Sequence, residues 1–306
     1  MKAILQTREH KPSWLKRSLP KGSEYERVRQ LLSRANLHTV CQEAKCPNMW
    51  ECFSRNTSTF MIMGDQCTRN CRFCNVKTGT PLPLDPDEPA RVAKAALALG
   101  LKYVVITSVT RDDLDDGGAD HFAQTIREIR CLLSQERGEK IKIEVLIPDF
   151  QGDSAALKSV MDAEPDVLNH NIETVPSLYS TVRPEAQYKR SLELIQRAAR
   201  YRGADRSKVI NSQKERIAVK SGIMVGLGES EDELKRTITD LYQHGCTILT
   251  IGQYLQPSAK HLPVVKYYEP GEFDELKAFA ESAGFRSVAS APFVRSSYEA
   301  DRLYRP

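Results

Sequence analysis

Apolar positions along the chain recur with two periods. Short runs rich in β-branched residues, at 59–63, 102–108, 141–147, 166–172, 217–225 and 247–254, predict strands. Each is followed by a stretch with helical spacing, at 88–99, 118–134, 154–163, 191–201, 231–244 and 271–282, and Gly100, Gly245 and Gly284 stand where three of these helices would stop. Six strand–helix units with mostly apolar strands imply a parallel sheet covered by helices. An open doubly wound sheet and a barrel both satisfy that pattern. Polar, motif-like residues follow nearly every strand, however, and only a barrel gathers all strand C-termini around one mouth, so the predicted fold is an α/β partial parallel (β/α)6 TIM-type barrel. Residues 1–59 read as an N-terminal extension, with a basic start, a helix over 23–35 and a cysteine-bearing loop; 60–284 read as the barrel and 285–306 as a C-terminal segment.

Length and composition narrow the class. The chain has 306 residues, 41% of them hydrophobic, enough for a large core. No apolar run approaches the roughly 20 residues that span a bilayer, and the first ten residues hold no continuous apolar stretch of the secretory type, so a soluble, cytoplasmic protein with no membrane partner is expected. A net charge of +4 is too small to imply nucleic acid. The cations are unevenly spread: residues 183–220 carry eleven Lys/Arg against four Asp/Glu, and the first 29 residues eight against three. Such runs are read either as solvated helix faces or as a docking face for an acidic protein, with Arg197, Arg200 and Lys208 as candidates.

Cysteine placement says most. Six of eight cysteines lie between Cys41 and Cys74. In a chain of this length without a secretory leader, that crowding points to metal or redox chemistry rather than disulfides. Cys131 and Cys246 lie in apolar contexts and read as small buried hydrophobes. Cys67, Cys71 and Cys74 form a C-x3-C-x2-C run after the first barrel strand, and three thiolates on one bent loop suit a 4Fe-4S cluster whose fourth iron stays open. Structural zinc would want a fourth Cys or His, and no His lies in the loop. Cys41, Cys46 and Cys52 form a second triad, C-x4-C-x5-C, ahead of the barrel. Two triads suggest two clusters; the alternative is that one triad lends a ligand to the other.

The Cys67 run, with Phe73 just before its last cysteine, resembles the signature of the radical S-adenosylmethionine superfamily. In combination with the upstream C-x4-C-x5-C run, Thr107–Gly118, Asn169-His-Asn-Ile-Glu-Thr174, Gly222-Ile-Met-Val-Gly-Leu-Gly-Glu229 and Arg295-Ser-Ser-Tyr298, it closely resembles the lipoyl synthase family. The resemblance implies a barrel with the cluster loop after the first strand and two 4Fe-4S clusters with S-adenosylmethionine as co-substrate. It also implies insertion of two sulfur atoms, at C6 and C8, into an octanoyl chain on a lipoyl carrier domain or glycine-cleavage H protein, with a reductant such as ferredoxin or flavodoxin. The Cys67 cluster would make the 5′-deoxyadenosyl radical and the Cys41 cluster would donate sulfur. By the same resemblance Asn171 and Glu173 hold the ribose hydroxyls, Thr107 and Ser108 lie where the methionyl amino group binds, Gly226 lets backbone approach the adenosyl group, and a serine of the Arg-Ser-Ser-Tyr motif completes the Cys41 cluster. Ser297 is chosen, with Ser296 second. His170, on the opposite face of its strand, reads as structural. Two other readings stay open: a biotin-synthase-like sulfur insertion on a free small molecule, and a two-cluster electron carrier of ferredoxin type.

Overall fold

A computed structural model describes residues 11–16, 24–138, 141–201 and 217–304. Helix α1 (Glu24–Arg34) leads into a two-residue strand β1 (His38–Thr39), and the cysteine-bearing loop that follows folds into two short helices, α2 (Val40–Glu43) and α3 (Met49–Ser54). The helical character of that loop is not apparent from its pattern, because runs of four and six residues are too short to show a period. What starts α2 is Thr39, whose hydroxyl accepts from Gln42 N.

The barrel strands are β2 (Thr59–Ile62), β5 (Tyr103–Ser108), β6 (Lys142–Leu146), β7 (Val167–Asn169), β8 (Ala218–Val225), β9 (Ile248–Gln253) and β10 (Ser287–Ser290); a separate parallel pair, β3 (Gln66–Cys67) and β4 (Lys77–Thr78), brackets the cysteine loop. Their order in the sheet is their order in the chain. All neighbours from β2 to β10 pair in parallel, while β1 adds to β2 antiparallel. The six predicted units are present, with α4 (Glu88–Ala98), α5 (Ala119–Arg137), α6 (Ser154–Asp162), α8 (Tyr188–Arg200), α9 (Glu231–Gln243) and α10 (Pro270–Ala283) returning between strands, plus a short α7 (Tyr179–Val182) before α8 and α11 (Ala300–Leu303) after β10. The strand predicted over 166–172 stops at Asn169. Beyond it the carbonyls of Asn171 and Ile172 accept from Arg183 Nη1 at 2.9 and 3.3 Å instead of from a neighbouring strand.

The edges of the sheet are β1 and β10, and side chains span the gap between them: Asn48 Nδ2 donates to Phe293 O (2.7 Å), Tyr298 OH to Glu51 Oε1 (3.0 Å), and Arg55 pairs with Glu299 (2.8 Å). The end of the barrel away from the mouth is stoppered by Tyr304, which packs on Val167, Ala218 and Ile248, near the starts of their strands, and lies under the Lys142 ammonium.

Cys246 is buried, as predicted, but Cys131 is exposed. The buried residues of α5 include Phe122, Ile126, Ile129 and Leu133, and position 131 falls about half a turn from 129 and from 133, so helical geometry turns its thiol outward. Inside the barrel, Lys220 Nζ lies 2.9 Å from Glu144 Oε1, both side chains 1% exposed, with Tyr103 OH (2.7 Å) and Asn169 Nδ2 (3.0 Å) completing the carboxylate's partners. Removing one member of a desolvated pair strands the other. Lys220→Met is therefore expected to cost about 3–5 kcal/mol in urea unfolding, and adding Glu144→Gln should recover most of the loss. An unchanged urea midpoint in the single variant would refute this.

Candidate active site

The Cys67 loop sits across the strand C-termini and is fastened to several of the loops there. Thr110 N donates to Cys67 Sγ (3.3 Å), Arg72 N to Val182 O (3.0 Å), Leu262 N to Arg72 O (3.3 Å) and His261 Nε2 to Cys74 O (2.9 Å). Arg69, inside the cysteine run and 4% exposed, grips Asp112 with two nitrogens (2.6 and 2.9 Å) and reaches Asp149 at 2.7 Å. Burial works against the Asp149 carboxylate, but the hydrogen bond and charge of Arg69 outweigh it and bring its pKa to about 2. Phe73 packs toward the mouth with Val182, Leu227 and Tyr254.

All six clustered thiols are free of disulfides. Burial pushes Cys74 up to about 12 and also raises Cys71, where the Arg183 guanidinium opposes the rise. In the second triad burial pushes both Cys41 and Cys52 up to about 12, helped by Cys46 at Cys41 and by Cys41 and Cys46 at Cys52. Burial disfavours the thiolate form of Cys41, Cys52, Cys71 and Cys74, and a neighbouring sulfur of the same triad adds to the effect at each. Among the described residues no three His, Cys, Asp or Glu converge on a single ion.

The second triad is carried by α2, the turn after it and α3. Cys46 N donates to Cys41 O (3.0 Å), Cys52 N to Asn48 O (2.9 Å), and Tyr25 of α1 stacks on Trp50 at 4.0 Å. The C-terminal motif ties this triad to the mouth. Tyr298 holds Glu51, the neighbour of Cys52, while Ser296 Oγ donates to Asn171 Oδ1 at 2.8 Å. Ser297, half-buried, stands between those two anchors.

Asn171 Nδ2 in turn donates to Glu173 Oε1 (3.1 Å), so this predicted pair is brought together. Glu173 adopts φ 68°, uncommon for a non-glycine residue, and burial raises its carboxyl against the opposing charge of Arg183. Asn169 is turned to Glu144 instead, and His170 is structural as predicted: it is buried, bonded to Ile147 O and Ser191 Oγ at 2.9 Å each. Thr107 Oγ1 donates to Leu146 O (3.0 Å), whereas Ser108 Oγ is buried with no partner among the described residues. At Gly226, φ 103°, an added Cβ would lie 2.2 Å from Gln253 Nε2 and 2.5 Å from Lys266 O, so the glycine already serves a close approach within the chain itself.

Sequence reasoning misses Arg183, counted there only as part of a cationic run. It is 9% exposed, sits beside Glu173 and Cys71, and its buried Nε has no partner among the described residues. Lys220, from the same run, is the buried partner of Glu144. Arg197 and Arg200 sit in the last turn of α8, where Arg197 is bonded to Gly152 O (2.8 Å). Lys208 lies outside the described residues. Among the described residues no helix is long and apolar enough to cross a membrane.

Residues 61–241 match the Radical SAM superfamily, and residues 2–46 match the N-terminal domain of lipoyl synthase of the Radical SAM family. Lipoyl synthase of Desulfotalea psychrophila is 54% identical over 300 residues, covering 98% of this chain and 95% of that protein. The lipoyl synthase of Chlorobium chlorochromatii is 52% identical over 292 residues, covering 95% and 94%. Among solved structures, methylornithine synthase superposes with a TM-score of 0.51 at 14% identity, covering 92% of this chain and 88% of that one, a likeness of fold alone.

Proposed function

The chain belongs to the lipoyl synthase family of the radical S-adenosylmethionine superfamily, and from that premise we propose that it inserts two sulfur atoms, at C6 and C8, into an octanoyl group carried on a lipoyl carrier domain or H protein. Cys67, Cys71 and Cys74 would hold one 4Fe-4S cluster; Cys41, Cys46 and Cys52, with Ser297 as fourth ligand, would hold another. When bound, the first supplies the electron that cleaves S-adenosylmethionine to a 5′-deoxyadenosyl radical, and the second supplies sulfur. The observation that carries this reading is the bridge formed by residues 296–298, which fastens the mouth of the barrel at Asn171 to the helix bearing Cys52.

The chain's own residues have distinct tasks. Asn171 and Glu173 present an amide and a carboxylate to the ribose diol, accepting its hydrogens while the amide donates. Arg183 and Ser108, whose buried Nε and hydroxyl lack partners among the described residues, would take the co-substrate carboxylate and accept from its amino group respectively. Arg69 clamps the cysteine loop onto Asp112 and Asp149, so the three thiols are held by rigid strand ends rather than by a free loop. Phe73 and its apolar neighbours exclude water from the mouth. Electrons would come from a ferredoxin- or flavodoxin-type reductant.

The test is direct. Reconstituted protein, dithionite, S-adenosylmethionine and an octanoylated carrier peptide should yield a peptide whose mass has gained two sulfurs. A peptide of unchanged mass despite 5′-deoxyadenosine formation would overturn the reading, as would equally efficient turnover of free octanoamide.

A further inference from the structure

Gly222 lies inside β8 with no unusual φ, so its backbone does not call for glycine. The space around it does. A Cβ there would lie 2.8 Å from Asn171 Oδ1, 2.8 Å from Thr250 Oγ1 and 2.9 Å from Ser296 Oγ. Three oxygens, from the segment just beyond β7, from β9 and from the C-terminal segment, therefore converge over a position where any side chain would push them apart.

Two of the three are joined. Ser296 Oγ donates to Asn171 Oδ1, and Asn171 Nδ2 donates to Glu173 Oε1. This chain of bonds decides which way the Asn171 amide faces. Flipped, its carbonyl would oppose the Glu173 carboxylate and its NH2 would lose that acceptor. The hydroxyl of Ser296 is thus committed to the nucleoside side of the site, while its neighbour Ser297 and the Tyr298–Glu51 bond belong to the Cys52 side.

The geometry points to Ser296 as a positioning residue, a latch over Gly222 that orients Asn171 for S-adenosylmethionine and couples co-substrate binding to the seating of residues 293–299. This rests on the proposed function for the identity of the nucleoside. It adds a thermodynamic consequence: whatever Ser296 contributes to binding the co-substrate, the bound co-substrate returns as protection of the C-terminal segment.

The experiment uses cluster-loaded protein kept anaerobic and oxidised, so that S-adenosylmethionine binds without being cleaved. Equilibrium dialysis should give a dissociation constant about fivefold weaker for Ser296→Ala, the scale of one net hydrogen bond, with recovery in Ser296→Thr and a comparable loss in Gly222→Ala. Amide exchange over residues 293–299 should slow when S-adenosylmethionine is added to the wild type, and that response should vanish in Ser296→Ala. Wild-type affinity in Ser296→Ala overturns the latch. So does a wild-type segment whose exchange ignores S-adenosylmethionine, a measurement that decides the matter even if the variants do not retain their clusters. Failure of the carrier peptide to gain sulfur with the wild type would instead strike the functional reading and leave these binding results standing.

Discussion

Replacing Cys67, Cys71 and Cys74 together should leave about half the iron of the wild type and abolish 5′-deoxyadenosine formation, because on the proposed assignment these three thiolates would hold one of two clusters. Replacing Cys41, Cys46 and Cys52 should leave a similar fraction of iron, retain 5′-deoxyadenosine formation and stop sulfur insertion. The separation is expected because the triads hang from different supports. The Cys67 loop is fastened to Thr110, Asp112, Asp149 and Leu262 around the barrel mouth. The Cys41 triad rides on two short helices held by α1 and the C-terminal segment. Iron analysis, chromatography of the nucleoside product and the mass of the carrier peptide check both halves, and equal loss of both activities in the two variants would undo the division of labour.

Ser297→Ala should abolish the lipoyl product while S-adenosylmethionine is still cleaved, and Ser297→Cys should retain the cluster but insert little or no sulfur. On the proposed ligation the fourth iron of the Cys41 cluster would be held by the Ser297 oxygen. A serine oxygen is a hard ligand, poorly matched to this iron, and can be released by protonation when sulfur must leave; a thiolate would hold on. Position supports the choice between the paired serines, since Ser296 already spends its hydroxyl on Asn171 and Ser297 lies toward the Tyr298–Glu51 contact. Lipoyl product formed by Ser297→Ala at the wild-type rate would sink the assignment. Iron content and 5′-deoxyadenosine yield of the same samples would show whether Ser297→Ala had merely misfolded.

What could be read in the chain was local. The strands and the six α/β units declare themselves because a buried parallel strand and its covering helix each impose a short period on consecutive residues. The two cysteine triads declare themselves because cluster ligands on one loop must be close in sequence as well as in space. Alternation puts Asn169, Asn171 and Glu173 on one face and the family resemblance singles out the last two, which the fold brings together while it turns Asn169 to Glu144. Three features needed the fold. Arg183 looks in sequence like one cation among many, and only the closing of strands and loops around it shows a desolvated guanidinium facing Glu173. Cys131 sits in an apolar stretch, yet the core lies on the other side of α5. The two serines of Arg295-Ser-Ser-Tyr298 are neighbours of one type, and what separates them is contact with residues more than a hundred positions away, Asn171 for Ser296 and, through Tyr298, Glu51 for the side on which Ser297 lies. Local spacing determined which residues could form the elements and the ligand sets; which side chains meet across the barrel was decided only by tertiary structure, because contacts between distant segments leave no period in the sequence.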